Sequence, residues 1–166
     1  MPLGPEHLEG TWAALQQPEV MRLTGTHATF TRDGVHAWLA SLAGRDDRAD
    51  WAILRAEDGE HIGEAVLNDL DDDNRSAGFR IALGDPRFFG NGYGTEATIA
   101  VLGHAHGAAG LHRVELEVYA FNPRAQRAYE KAGFAVEGRR RDALLWQGEW
   151  VDAIVMGSLA RVPAQS

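Results

Sequence analysis

The stretch FGNGYGTEA, residues 89–97, separates a predicted strand from a long predicted helix and decides between the possible folds. Its glycines let the backbone adopt positive φ angles and approach a ligand closely. The helix that follows begins with unpaired N–H groups and the positive end of the helix dipole. A strand, a glycine turn and a helix N-terminus in this order predict a site that binds an anion such as pyrophosphate.

Other glycine-rich motifs compete for the same stretch. A Walker P-loop requires Gly-Lys-Ser/Thr, which this stretch lacks. A dinucleotide fingerprint requires G-x-G-x-x-G in the first strand–helix turn of a βαβ unit, whereas this stretch has G-x-G-x-G after a predicted antiparallel hairpin. A helix start that binds no ligand explains a glycine loop, taken alone, equally well.

The hydrophobic pattern on either side of the glycine stretch predicts both helices and strands. Apolar residues recur at helical spacing in some segments and alternate with polar residues in others. The predicted helices are Glu6–Gln16, Thr31–Ala43, Gly92–His106 and Asn122–Ala132. The predicted strands are Trp51–Glu57, His61–Asn68, Gly78–Leu83, His112–Tyr119, Phe134–Trp146 and Glu149–Leu159, with an acidic loop at Asp69–Asn74.

This order, with hairpins at both ends, predicts an α+β fold in which helices flank a mixed, mostly antiparallel sheet. The segment Phe79–Tyr119 joins two strands through the long helix, which places those strands side by side and parallel. Residues 1–166 are expected to form a single domain.

Few residues precede the first predicted helix, so the first edge strand is expected to be missing or very short. The sheet edge is then either exposed or covered by a partner subunit, as in a homodimer. A start codon placed too late in the gene explains the same beginning equally well.

The composition excludes several classes of function. A formal net charge of −8 without a concentrated basic stripe argues against a nucleic-acid partner and suits a cationic partner such as an amine. The chain has no cysteine nucleophile, and its seven histidines lack metal-binding spacing, so no metal is expected. No secretory signal or membrane-spanning apolar run is visible, so no membrane association is expected and the cytoplasm is the expected location.

A second segment, NPRAQRAYEKAGF at residues 122–134, begins 25 residues after the end of the glycine stretch. The two segments together resemble the motifs Q/R-x-x-G-x-G/A and N-x-x-A/S-x-x-x-Y-x-x-x-G-F of the GNAT acetyltransferase family. Phe89 stands where the family usually has Gln or Arg. In this respect the chain is similar to the branch that contains ribosomal-protein alanine N-acetyltransferases and spermidine acetyltransferases. The resemblance covers roughly Trp51–Leu159.

The resemblance implies an N-acetyltransferase that moves the acetyl group of acetyl-CoA to a primary amine by direct attack in a ternary complex. The absence of cysteine and of a G-x-S-x-G elbow agrees with direct transfer. In this family two parallel strands splay, and the pantetheine arm pairs with the backbone that they leave free. The implied cofactor-binding residues are Ile81, Leu83, Phe89, Gly90, Asn91, Gly92, Tyr93, Gly94, Thr95, Asn122 and Tyr129.

The resemblance also implies catalytic roles for side chains. Tyr129, seven residues and about two helical turns after Asn122, corresponds to a phenol that protonates the departing thiolate. Glu117 matches the catalytic base of one ribosomal-protein alanine acetyltransferase group, and Glu115 on the same strand face is the alternative. Both glutamates are equally consistent with exposed strand carboxylates that have no catalytic role. A backbone N–H at the end of the Ile81–Leu83 strand is the implied oxyanion donor.

No motif specifies the acceptor. The branch resemblance favours a protein N-terminal amine, and a small amine such as a polyamine or an aminoglycoside-like compound is the second hypothesis. A non-catalytic acyl-CoA-binding module and a dinucleotide-binding domain are the alternatives from other classes. We expect the first two predicted helices and the last hairpin to form the acceptor pocket.

Overall fold

The computed structural model of the protein describes residues 1–161. Within them, the strands are β1 (Ala49–Leu54), β2 (His61–Asp71), β3 (Ser76–Leu83), β4 (Arg113–Tyr119), β5 (Ala135–Trp146) and β6 (Glu149–Leu159). The α-helices are α1 (Leu8–Leu15), α2 (Pro18–Thr24), α3 (Arg32–Ser41), α4 (Tyr93–His106) and α5 (Pro123–Ala132).

The six strands form one sheet in the order β1-β2-β3-β4-β6-β5. Neighbouring strands are antiparallel except β3 and β4, which are parallel because α4 carries the chain back between them. This arrangement confirms the predicted α+β fold with a mostly antiparallel sheet and one parallel pair.

The parallel pair separates soon after it begins. β3 and β4 pair over only three positions, from Ser76 opposite Arg113 to Gly78 opposite Glu115. Beyond these positions each strand continues and keeps its antiparallel partner on the far side, β2 for β3 and β6 for β4. The predicted splay is therefore present. It leaves a wedge whose two walls are strand edges with unpaired backbone groups.

Alternation along β4 separates the two faces of the sheet. One set of β4 side chains is buried in the main core with residues of α4 and α5, namely Val114, Leu116 and Val118. The alternate set projects from the opposite face, namely Arg113, Glu115, Glu117 and Tyr119. Tyr119 lies close to Gly25, the residue that ends α2, so this second face is the one that α2 covers.

Two elements differ from the sequence prediction. Pro18 begins a further helix, α2, instead of only closing the one before it, because proline fits the first position of a helix and lacks an N–H that this position leaves unpaired. β2 continues through Asp71, so the acidic stretch predicted as a loop from Asp69 is partly strand. The other bounds agree to within a few residues, and Thr31 caps α3 as predicted, since its Oγ1 accepts a hydrogen bond from Gly34 N at 3.1 Å.

Residues before α1 lie along the outer edge of β1. Pro2 forms a single bridge with Trp51. Leu3 N donates to Asp50 O at 3.0 Å, and Ala52 N donates to Met1 O at 2.9 Å. The chain itself therefore covers this part of the sheet edge. Among residues 1–161, no helix has the length and apolar character needed to cross a membrane.

Candidate active site

The wedge between β3 and β4 opens into a cleft of about 1030 Å³ that residues from both faces of the sheet line. We call one side the α4–α5 half; it comprises the glycine turn (residues 89–95) and the lining residues of α5. We call the other side the α2–α3 half. It comprises α2, residues 25–28, Trp38 of α3 and the sheet face opposite to α4 and α5.

The glycine turn leaves open space beside its backbone. Gly90 and Gly92 have φ angles of 74° and 83°, which L-residues with side chains rarely adopt. A Cβ atom built on Gly90, Gly92 or Gly94 would meet no atom within 4 Å. Backbone conformation therefore requires glycine at positions 90 and 92, and the space beside all three glycines is free for a ligand.

The first turn of α4 presents main-chain donors to this space. Gly92 precedes the helix and supplies no side-chain cap, and the first intrahelical bond joins Glu96 N to Gly92 O at 3.0 Å. The N–H groups of Tyr93, Gly94 and Thr95 precede that bond and have no helical acceptor. Together with the helix dipole, they form a cluster of donors suited to an anion with several oxygens.

Asn91 and Phe89 shape the turn in ways that the sequence alone did not indicate. The Asn91 side-chain amide donates to the carbonyl oxygens of Arg87 at 3.3 Å and Phe89 at 3.2 Å, so it braces the turn. The guanidinium of Arg124 lies 4.2 Å from the centroid of the Phe89 ring. Arg124 was not among the predicted site residues, although its place two residues after Asn122 in the second motif is a usable signal. It brings a cation to the position where the family motif has Gln or Arg.

At the start of α5, Asn122 caps the helix and Tyr129 follows two turns later. Asn122 Oδ1 accepts a hydrogen bond from Ala125 N at 3.3 Å. The Tyr129 ring packs edge-on against Phe79 and Phe134, with centroid distances of 6.4 and 6.0 Å. Burial raises the pKa of Tyr129 to about 12. The phenol is therefore protonated at neutral pH, and within the described chain its oxygen has no hydrogen-bond partner, so it is able to donate into the cleft.

The end of β3 forms the central wall of the cleft. Ile81 and Leu83 pair with Ala65 and Gly63 of β2 on one side, and they face the open wedge on the other. Both line the cleft, as do the glycine turn, Asn122 and Tyr129. The structure thus brings the sequence-predicted residues of the two motifs and of β3 to one cavity. Asn91 is the exception among the predicted residues: it does not line the cleft, and its side chain turns back onto the loop.

The two predicted base candidates lie at different places along the wedge. Glu115 occupies the last position of β4 that pairs with β3, and its carboxylate binds Arg113 at 2.7 Å. Glu117 lies past that position, where β4 still pairs with β6 but no longer with β3, and lines the α2–α3 half of the cleft. Its carboxylate is 41% exposed and forms an ion pair with Arg140 of β5. Both glutamates line the cleft, and Glu117 is the one that lies beyond the last position paired with β3, beside the open wedge.

Glu64 of β2 also lines the cleft, and the sequence analysis did not identify it. It pairs across the sheet with Ala82, near the end of β3, and its carboxylate accepts a hydrogen bond from Thr11. Burial raises the pKa of the Glu64 carboxyl above its usual value, the Thr11 hydrogen bond opposes this, and nearby Asp50 adds to it. A signal was present: Glu64 is a charged residue inside the otherwise apolar strand segment IGEAVL.

The helices of the α2–α3 half differ in part from those predicted for the acceptor pocket. The helices that line it are α2 and α3, whereas α1 contributes no lining residue to the large cleft. The final hairpin contributes Val155, and its Trp146 stacks on His27 with a centroid distance of 5.2 Å. The second predicted helix, now α3, and the final hairpin do line the cleft, whereas α2, which was not recognised as a helix, takes the place predicted for the first helix. In the described part of the chain, no cluster of three potential metal ligands occurs.

Comparison with known proteins identifies related chains. Residues 1–135 match the family model described as "Acetyltransferase (GNAT) domain". The prophage-derived uncharacterized N-acetyltransferase YokL of Bacillus subtilis is 26% identical over 140 residues, covering 84% of this chain and 77% of that protein. The L-amino acid N-acetyltransferase AaaT of Escherichia coli is 28% identical over 123 residues, covering 73% of this chain and 74% of that protein.

A solved structure shows the same fold. The spermidine N-acetyltransferase of Vibrio cholerae, crystallised with CoA and spermine, superposes with a TM-score of 0.89 and 21% sequence identity. The match covers 96% of this chain and 94% of that one. At this identity the likeness concerns the fold alone.

Proposed function

The chain belongs to the GNAT family of acetyl-CoA-dependent N-acetyltransferases, and from that premise we propose how its cleft is used. The α4–α5 half holds acetyl-CoA, and the α2–α3 half holds a primary amine. The observation that carries this proposal is the wedge itself: β3 and β4 part after three paired positions, directly beside an open glycine turn.

The cosubstrate is held mainly by main-chain groups. The N–H groups of the glycine turn, from Gly90 to Thr95, bind the pyrophosphate, and the Arg124 guanidinium adds a positive charge at Phe89. Amides of the pantetheine arm pair with the free edge of β3 at Ile81 and Leu83, in the manner of an added strand. Asn122 borders the same channel at the start of α5. This arrangement brings the thioester to the end of β3.

Transfer follows from the groups around that point. The amine nitrogen attacks the thioester carbon, and a backbone N–H at the end of β3 donates to the oxyanion. Glu117 accepts the proton that the nitrogen loses as the C–N bond forms. Tyr129 gives its proton to the thiolate as the C–S bond breaks. Acid–base help of this kind contributes roughly 10²- to 10⁴-fold, and positioning of the two substrates contributes more.

Two acceptor classes fit the cleft. A protein N-terminal amine is the acceptor that the branch resemblance predicted from the sequence. A small amine is supported by two of the similar proteins, an L-amino acid N-acetyltransferase and a spermidine N-acetyltransferase. The open volume of the cleft, about 1030 Å³ for both substrates together, accommodates either a small molecule or the first residues of a peptide.

Release of free CoA thiol from acetyl-CoA is the direct test. The assay would use a panel of candidate acceptors: small monoamines, polyamines, amino acids and peptides with free N-termini, each at several concentrations. We expect transfer to at least one class, with product mass increased by one acetyl group. Tight CoA binding without transfer to any amine across the panel would contradict the proposal and favour a binding module.

The predicted homodimer remains part of this proposal. Residues 1–3 already occupy the outer edge of β1, so a dimer would use another surface. Light scattering during size-exclusion chromatography measures the mass directly. A mass near 36 kDa, twice the 18.1 kDa of the chain, supports a dimer, and 18 kDa contradicts it.

A further inference from the structure

Most acidic side chains that line the cleft have an arginine partner. Asp50 binds Arg48 at 2.7 Å, and Glu115 and Glu117 bind arginines of β4 and β5. Asp69 lies further out and is exposed, where water solvates its charge and Asn68 donates to it. Glu64 is different, because within residues 1–161 no Lys or Arg lies within ion-pair distance of its carboxylate.

The surroundings of Glu64 leave its charge uncompensated. Its side chain is only 29% exposed, and Thr11 supplies one neutral hydrogen bond. His61 lies 3.9 Å away, but burial lowers the pKa of the His61 imidazole, which is therefore neutral at pH 7. A half-buried carboxylate without a cation is destabilising unless a partner arrives. Glu64 faces the cleft, so a cationic ligand is the partner that the cleft can supply.

Arg80 presents the opposite charge on the same wall. It lies on β3 two residues before Ala82, the cross-strand partner of Glu64, and therefore on the same face of the sheet. In the part of the chain that is described, no carboxylate lies within ion-pair distance of its guanidinium, whereas the other arginine on this wall, Arg48, is paired with Asp50. Diagonal neighbours on paired strands are separated by roughly 7 Å.

We propose that the acceptor is a small zwitterion, an amino acid or a close analogue, whose ammonium group binds Glu64 and whose carboxylate binds Arg80. This inference rests on the proposed function and names the substrate class for the same cleft. The two charges sit beside the end of β3, where the thioester is held, so a bound amino acid presents its nitrogen to the acetyl carbon. A polyamine would bring a second cation toward Arg80 and is disfavoured by repulsion.

The proton balance agrees with this placement. The ammonium transfers one proton to the Glu64 carboxylate, which leaves a neutral amine with the lone pair required for attack. The second nitrogen proton goes to Glu117 as the amide forms, and Tyr129 protonates the sulfur. Glu117 then returns its proton to Tyr129, and Glu64 releases one proton to water, so each turnover releases a single proton.

Matched acceptors test the class. We would compare each of several amino acids with its carboxamide and with the decarboxylated amine of the same side chain, and include spermidine. For at least one amino acid, kcat/KM should exceed that of both matched compounds by about 10-fold or more, the effect of losing a charge-assisted contact. Equal or higher kcat/KM for the amides, amines or spermidine would overturn the inference and leave the proposed function intact.

Two substitutions test the residues. Arg80→Gln should remove the preference for the acid over its amide, while Glu64→Gln should raise KM about 10-fold or more for acid and amide alike. Glu57→Gln and Arg75→Gln are matched controls with the same changes of charge at exposed positions outside the cleft. Unchanged acceptor KM in both cleft variants would contradict the inference.

Calorimetry on every variant measures the affinity for CoA. This measurement distinguishes a failure of the acceptor inference from a failure of the proposed function. Wild-type Kd for CoA in Glu64→Gln and Arg80→Gln shows that fold and cosubstrate site are intact, so a change in acceptor kinetics belongs to the acceptor site. If the unsubstituted protein binds CoA and acetylates no amine of any class, the proposed function fails and this inference fails with it.

Discussion

The two halves of the cleft are built in different ways. The α4–α5 half takes its shape from two short segments, residues 89–95 and 122–129, in which glycine φ angles and helix starts position main-chain groups. The α2–α3 half takes its properties from charged side chains on β2, β3 and β4 that are far apart in sequence. A main-chain site is therefore encoded in consecutive residues, whereas a side-chain site depends on which strands become neighbours.

The largest effect on CoA binding should come from a substitution in the glycine turn of the α4–α5 half. Gly92→Val places a β-branched residue at a φ of 83° and fills the open space beside the turn. Strain of about 1–2 kcal/mol and a blocked phosphate position should weaken CoA binding by about 100-fold or more. Calorimetric titration with CoA measures this.

Gly110→Val is the matched control for that substitution. Gly110 has a φ of 65°, an added Cβ there also meets no atom within 4 Å, and the residue lies outside the cleft. It should lose a similar amount of stability and keep its CoA affinity. Equal CoA affinity in the two variants would show that the turn does not hold the cosubstrate.

Tyr129→Phe should have the next largest effect, on turnover and not on binding. The ring keeps its packing against Phe79 and Phe134, and only the proton donor is removed. We expect kcat to fall about 100-fold, with Kd for CoA nearly unchanged. Since burial raises the pKa of Tyr129 to about 12, the donor stays protonated below that pH and is lost only as pH rises through it. An activity loss near pH 9 that Tyr129→Phe abolishes would contradict this role.

Much of the fold and half of the site were predictable, for physical reasons. Period-two alternation located β4, and the motif at Asn122 located α5, because local propensity and tertiary packing agree there. α2 was missed because Pro18 has two opposite meanings, a stop for one helix and a start for the next. The charge of Glu64 inside an apolar strand was a visible signal, but that Glu64 and Arg80 share one sheet face without ion-pair partners in the described chain appears only once the strands are paired.

Glu117→Gln tests the contribution of a charged side chain in the α2–α3 half. Removal of a general base in the open part of the wedge should lower kcat by about 10-fold or more. Glu115→Gln, on the same strand face but at the last position of β4 that pairs with β3, should change kcat less than about twofold. Steady-state kinetics with a saturating acceptor distinguishes the two. Equal losses of kcat in both variants would contradict the assignment of Glu117, rather than Glu115, as the general base.

The smallest effect concerns stability. Burial raises the pKa of the Glu64 carboxyl, so the folded state binds the carboxyl proton more tightly than the unfolded chain does. The stabilisation that results is present at low pH and is lost as pH rises through the folded-state pKa. Glutamine is neutral throughout, so Glu64→Gln should be more stable than the unsubstituted protein at pH 8, with the gap closing toward pH 4.

Urea unfolding at the two pH values measures that gap. His61 faces the same region and is present in both proteins, so the effect of its lowered pKa largely cancels in the comparison. A variant less stable than the parent at pH 8 would mean that the Glu64 charge is already compensated in the free protein.

A crystal structure with bound CoA tests most directly whether the α4–α5 half of the cleft holds the cosubstrate. Pyrophosphate oxygens should lie within about 3 Å of the N–H groups of Tyr93, Gly94 and Thr95, with the pantetheine arm between β3 and β4. A structure in which the turn stays empty, or its N–H groups point into the protein while CoA binds elsewhere, would contradict the proposed use of the wedge.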